Sequence, residues 1–401
     1  MSPLAMARRA IAAASGAAWL ACALAPAPAT AARGPLPAKP EETLLTRWRL
    51  PVVRQGLDRT VIESQATPLV DGPRGQIVCG TGEGRVLALD ANTARVRWRH
   101  DGVAPFESAP SLFVRPATAG GRAAAGVVLG GKDGGVLALD AATGELWWRT
   151  GLDGDVRAAP TADRGTLYVT TQRNRLAALD AQDGSIRWSF ERSPPAGMTV
   201  LGHAGALVQS GRVWTSFADG TAVALAADTG DVLWQRPLSL GGGRFRDADA
   251  TPVAAGAGIA FASLSDGVYL LDGEDGRTLW QQPLDNVAQL AVGGVGSSCR
   301  LFAGDGDGRV WALSARGGQV AWRRSLEDSP IRSLVAWQDK LFALANEQGV
   351  RVLSQRDGRL LETVSLGGRP GGGLGVSPRA AAHLTSQGAL LLWALPPPPA
   401  P

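Results

Sequence analysis

Cysteine, histidine and charge are all scarce in this 401-residue chain. Its three cysteines are too few for a disulfide scaffold or a cysteine-built metal cluster. Its three histidines, His100, His203 and His383, stand far apart with no ligand-like spacing, which argues against a histidine-rich catalytic or metal site. Only 19% of the residues are charged while 45% are apolar, a balance that excludes intrinsic disorder and can fill a sizeable core. Basic and acidic residues number 40 and 36 and are interspersed, so there is no cationic stripe and nucleic acid is not an expected partner. No apolar run reaches the ~20 residues of a membrane-spanning helix, and no segment keeps a helical period with caps.

What the chain does have is glycine, 52 residues of it, and tryptophan, 13 against eight Phe and two Tyr. It opens with Arg8-Arg9, an apolar and small-residue stretch from Ala10 to Ala25, and the small-residue run Pro26 to Ala31. These are the three parts of a secretory signal, so residues 1–31 read as a signal peptide and 32–43 as a flexible linker. Leu20-Ala21-Cys22 resembles the end of a bacterial lipoprotein box, although Trp19 stands where such a box has Leu. Two outcomes stay open: Cys22 is lipidated, or it leaves with the signal.

From residue 44 to residue 395 one motif recurs every ~40–50 residues, the period of propellers. The fullest copy is Asp133–Trp148, and others run Gly84–Trp98, Asn174–Trp188, Asp219–Trp234, Asp266–Trp280 and Asp307–Trp322. Two weaker copies follow, Gln348–Leu361, where Leu361 stands in for the tryptophan, and Ser386–Leu395. Each copy reads as strand, Gly- or Asp-Gly-containing turn, Val-x-Ala-Leu strand, second turn and a strand ending in Trp, with a further short strand ahead of it. That makes four strands per unit, a propeller blade. The last unit lacks its outer strand, and residues 44–50 around Trp48 are an outer strand without a unit. Joining them predicts an all-β, eight-bladed propeller of four-stranded antiparallel blades, closed by the N-terminal strand, with a Pro-rich tail at 396–401. Trp48, Trp98, Trp148, Trp188, Trp234, Trp280 and Trp322 are expected to fill the wedges between blades, each indole N–H capping a neighbouring carbonyl.

The pattern A-x-D-x-x-T-G-x-x-x-W, intact in Ala138–Trp148, resembles the repeat of pyrroloquinoline-quinone propellers. Two branches share that repeat: periplasmic quinone-dependent dehydrogenases, and the BamB-like subunit of the outer-membrane β-barrel assembly machinery. The dehydrogenase branch implies a vicinal Cys-Cys disulfide and Ca²⁺ ligands, whereas Cys79 and Cys299 fall in the first and sixth units. The BamB-like branch implies a non-catalytic scaffold with no cofactor and no metal, in the periplasm and attached to the outer membrane only if Cys22 carries lipid. It implies a monomer within a complex, bound to the barrel-forming subunit and assisting the folding and insertion of outer-membrane proteins, nascent chains included. The same resemblance places a partner-binding segment at Asp247-Ala248-Asp249-Ala250-Thr251-Pro252, preceded by Phe245 and Arg246. A second contact falls at Met198, Val200 and Leu201, where the family's Arg is absent. The alternatives to this reading are a quinone-dependent dehydrogenase and a generic protein- or ligand-binding propeller.

Two glycine-rich runs point elsewhere only superficially. Gly304–Gly308 begins like a calcium loop but lacks its later ligands, and Gly80–Gly84 precedes no helix that could cradle a phosphate. Both are expected to be hairpin turns.

Overall fold

Strands whose residues alternate in and out cannot bury both faces singly, and eight four-stranded sheets solve this by stacking around a ring. The computed structural model describes residues 43–53, 63–117, 122–193, 204–238, 247–294, 298–326, 329–345 and 349–397. Among the described residues there are thirty-two strands in eight antiparallel sheets of four. In blade 1 the order from the hub outwards is Leu69–Asp71, Gln76–Gly80, Arg85–Asp90 and Val96–Asp101. The seven later blades begin at Ser111, Thr161, Leu207, Val253, Val287, Ile331 and Pro370. Their first strands lie against one another around the axis. The second and third strands form the core: the second strand Gln76–Gly80 and the third strand Gly135–Asp140 of blade 2 are almost wholly buried.

Blade 8 is closed as expected. The N-terminal strand Leu45–Pro51 pairs antiparallel with Ala389–Ala394, from Leu45 opposite Ala394 to Pro51 opposite Ala389. On the hub side the junction of blades 8 and 1 is closer still. The glycines of Pro370–Val376 meet the backbone of residues 64–68 so tightly that a Cβ on Gly371 would stand 2.2 Å from the Ser64 carbonyl oxygen, and one on Gly375 1.9 Å from that of Pro68. Only glycine allows that approach.

Seven tryptophans act as spokes. Each indole N–H donates to a turn carbonyl of the next blade: Trp48 to Ala91 (2.9 Å), Trp98 to Ala141 (3.1 Å), Trp148 to Ala181 (3.3 Å) and Trp188 to Ala227 (2.9 Å). Trp234 donates to Gly273 (3.2 Å), Trp280 to Ala315 (3.1 Å) and Trp322 to Gln355 (3.0 Å). At six of the seven the turn glycine of the next blade lies against the ring: a Cβ on Gly184, whose φ is +76°, would come within 2.4 Å of Trp148. A one-residue bulge just before each of these tryptophans re-aims the side chain towards the neighbour.

The eighth spoke corrects the sequence reading. Register pairs Val352 with Glu362 and Leu353 with Leu360, as Ala88 pairs with Trp98 and Leu89 with Val96. Leu361 is therefore the bulge residue, and Glu362 occupies the tryptophan position. Both glycine-rich runs are hairpin turns, as expected. In Gly304–Gly308 the buried Asp305 accepts the backbone N–H of Asp307 (3.0 Å) and Arg309 (2.8 Å).

Candidate functional site: the mouth at blades 4 and 5

The segment that opens blade 5, residues 247–250, runs along the rim formed by the hairpins between second and third strands. Its backbone is fixed from both sides: Leu264 N–H donates to the Asp247 carbonyl (3.0 Å), and Ser216 Oγ donates to that of Ala248 (2.7 Å). Alternation then decides what each side chain faces. Ala248 and Ala250 are buried, and Asp247 is fully buried as well. Asp249 is the partly exposed member of the pair and closes a narrow recess lined by Thr170, Thr171, Asn174, Ser216 and Phe217.

The electrostatics of this recess are unusual. Burial, reinforced by the Asp247 charge, pushes the Asp249 carboxyl up to about 8 from its ordinary 3.8. At the same position of blades 2 and 3 stand Glu107 and Arg157, which neutralise each other across 2.9 Å, with Lys132 3.4 Å from Glu107. No cation stands against Asp249 among the described residues. Asp249 is the carboxyl that opens to the recess, and a cationic or N–H donor group arriving there would favour its charged form.

The sequence reading placed both aspartates at an accessible loop. The structure gives them different exposure: Asp249 is partly exposed, while Asp247 is fully buried and its charge adds to the effect of burial on Asp249. Phe245, Arg246, Met198, Val200, Leu201 and Cys22 lie outside the described residues. The Glu107–Arg157 pair was not anticipated, because its two members are 50 positions apart and only the ring brings successive blade openings together.

Among the described residues no three His, Cys, Asp or Glu side chains are grouped to hold a metal ion. Cys79 and Cys299 are both free and sit in blades 1 and 6. Cys79 is buried, its thiol raised to about 12. The vicinal disulfide that the dehydrogenase branch implies therefore has no counterpart in these two residues.

Fold and mouth together define an eight-bladed quinone-type propeller whose distinctive chemistry is acidic and lies on the rim. A family model described as "Outer membrane protein assembly factor BamB" matches residues 111–269 and 264–392, and the chain belongs to this family. A second model, of the glucose/ethanol/alcohol dehydrogenase β-propeller domain, matches residues 43–159. The outer membrane protein assembly factor BamB of Yersinia pestis is 27% identical over 250 residues, which cover 61% of this chain and 62% of the relative. The match thus spans about three fifths of that curated relative's length. The crystal structure of BamB from Moraxella catarrhalis superposes with a TM-score of 0.73 at 20% identity, covering 88% of this chain and all of the other. Quinohemoprotein alcohol dehydrogenase from Comamonas testosteroni gives 0.64 at 12% identity, covering 90% of this chain and 78% of that one. At such identities the two structures attest the fold alone.

Proposed function

We propose that this protein is a non-catalytic scaffold of the outer-membrane protein assembly machinery, and that it docks its partner at the mouth around Asp249. The observation that carries the reading is Asp249 itself, partly exposed in the recess with its carboxyl pushed up chiefly by burial, a local cost in stability that a docking partner's cation or N–H donor would offset. The Yersinia relative's name as an assembly factor supports the same reading. On this view residues 1–31 export the chain to the periplasm, the linker read as 32–43 tethers it with its last residue, Thr43, buried at the ring, and the barrel-forming subunit of the machinery is the partner. Phe245 and Arg246 directly precede Asp247 in sequence, and on this reading they extend the contact together with Met198, Val200 and Leu201. Intact mass of the mature protein decides the fate of Cys22: a diacylglyceryl increment at an N-terminal Cys22 means a lipid anchor, and cleavage after Ala31 means none.

The test is co-purification from native envelopes. The partner should be recovered with the wild-type protein and largely lost with Asp247→Ala plus Asp249→Ala, while the variant keeps its melting transition. Unchanged recovery would remove the pair from the interface. For the dehydrogenase reading, quinone and Ca²⁺ added to the purified protein should give neither a bound-cofactor absorption band nor dye-linked alcohol oxidation; either signal would overturn the non-catalytic assignment.

A further inference from the structure

The eighth spoke carries an inference independent of the docking mouth. At the position where seven blades place an indole donor, blade 7 places the carboxylate of Glu362, and the direction of the hydrogen bond reverses. One oxygen, Oε2, accepts the backbone N–H of Thr43 (2.7 Å) and of Leu44 (3.2 Å). These are the two residues immediately before the closing strand. They are also the best-buried part of it: Thr43 is 1% and Leu44 4% exposed, while most of Leu45–Pro51 faces solvent. Leu44 packs into the cluster between blades 7 and 8 with Trp337, Leu366, Leu374, Trp393 and Leu395. Leu44 and Glu362 thus replace the missing tryptophan jointly, one supplying apolar bulk and the other the polar link. Arg49 adds a third tie, donating to the Gly367 carbonyl (2.9 Å).

We propose that Glu362, Thr43 and Leu44 form a clamp that makes blade 7 the anchor of the N-terminal chain. The need for one follows from topology. The closing strand is held to its own blade by a single ladder that starts at Leu45, so a pull on the preceding chain would open that ladder one pair at a time. The clamp lies upstream of the first pair, and any load must break two charge-assisted bonds and extract Leu44 before it reaches the ladder. The clamp also fixes where the chain leaves the ring. Leu45 pairs with Ala394, the last residue of the third strand of blade 8, so residue 43 emerges at the rim where the third strands end. The closing strand then crosses to the opposite rim, where Val52 N–H donates to Gly388 (2.8 Å), and that is the rim of Asp249. A loaded N-terminal chain therefore holds the ring with the acidic mouth facing away from the point of attachment.

Amide hydrogen exchange on the full chain tests the clamp. In Glu362→Ala the amides of Leu45–Leu50 should exchange about tenfold faster, the loss expected for one net charge-assisted hydrogen bond. The outer strand Val96–Asp101 of blade 1 serves as internal control and should be unchanged. Glu362→Gln, which keeps the shape and a neutral acceptor, should fall between alanine and wild type, and it takes over the test if the alanine variant does not fold. Glu362→Trp should restore an indole spoke yet leave Leu45–Leu50 fast. Unaltered exchange in the closing strand, or acceleration spread equally over all outer strands, would overturn the proposal.

Discussion

A carboxyl held at about 8 and an imidazole held at about 4 give this ring two opposed pH dependences, and each is traceable to one residue. Asp249 keeps its proton in the folded state far above the ordinary carboxylate range, so its contribution is favourable at low pH. That contribution is lost progressively as pH rises from about 4, its unfolded value, towards 8. Asp249→Asn should therefore leave the melting temperature unchanged at pH 4 and raise it at pH 8.5; an equal melting temperature at both would contradict the site's electrostatics. His383 behaves in the reverse sense. It is buried in blade 8, its Nδ1 bonds the Gly373 carbonyl (3.0 Å), and burial lowers its value to about 4. The unfolded chain takes up the proton near 6.5 and the folded chain resists, so stability should drain away as pH falls from 6.5 to 4. In His383→Gln the slope of urea midpoint against pH over that range should flatten; a slope identical to wild type would show that other groups govern acid unfolding.

At the scale of the element, the repeating unit is a strand pair plus an indole plus a turn glycine, and each depends on the others. Trp148 can lie on the next blade because Gly184, at φ +76°, presents no side chain to it. Gly184→Ala should cost about 1–3 kcal/mol, from positive-φ strain and overpacking together. Trp148→Phe, which keeps an aromatic ring but removes the N–H, should cost about 1–2 kcal/mol through the unpaired Ala181 carbonyl and the lost ring volume. Chemical denaturation reads both, and a value near zero for the glycine variant would separate the turn from the spoke. These units were legible in the sequence because each repeats at a fixed offset, Trp falling four residues after the turn glycine. The same offset, applied to Gly358, leads to Glu362 rather than Leu361. Residue type drew attention to the leucine, since an apolar substitute resembles tryptophan and an acid does not. The burial of Asp247 was not legible for a different reason: which of two aspartates turns inward depends on Leu264 and Ser216 fixing the backbone, and neither is a neighbour in sequence.

At the scale of the whole molecule, closure by the N-terminal strand covers the edge of Ala389–Ala394 in blade 8 and ties the beginning of the chain to its end. Deleting residues 43–51 should expose the core strand Ala389–Ala394, lower the melting temperature by roughly 10 °C or more, and promote association through the bared edge. A truncated protein that melts like the intact one would show that the ring is held by its hub contacts alone. The eight-unit count, the closing strand and the acidic segment were all readable from the chain. The placement of Asp249 and residue 43 on opposite rims was not, because a rim exists only once strands from eight repeats share a direction. On the proposed function the acidic rim docks the assembly partner, and the opposite rim, where residue 43 lies, carries the N-terminal tether. Photo-crosslinking in native envelopes tests it most directly, with the reactive residue placed at Ala218, beside Asp249, or at Asp275 on the opposite rim. A partner-sized adduct from position 218 and none from position 275 is the predicted result; an adduct from 275 alone would contradict it.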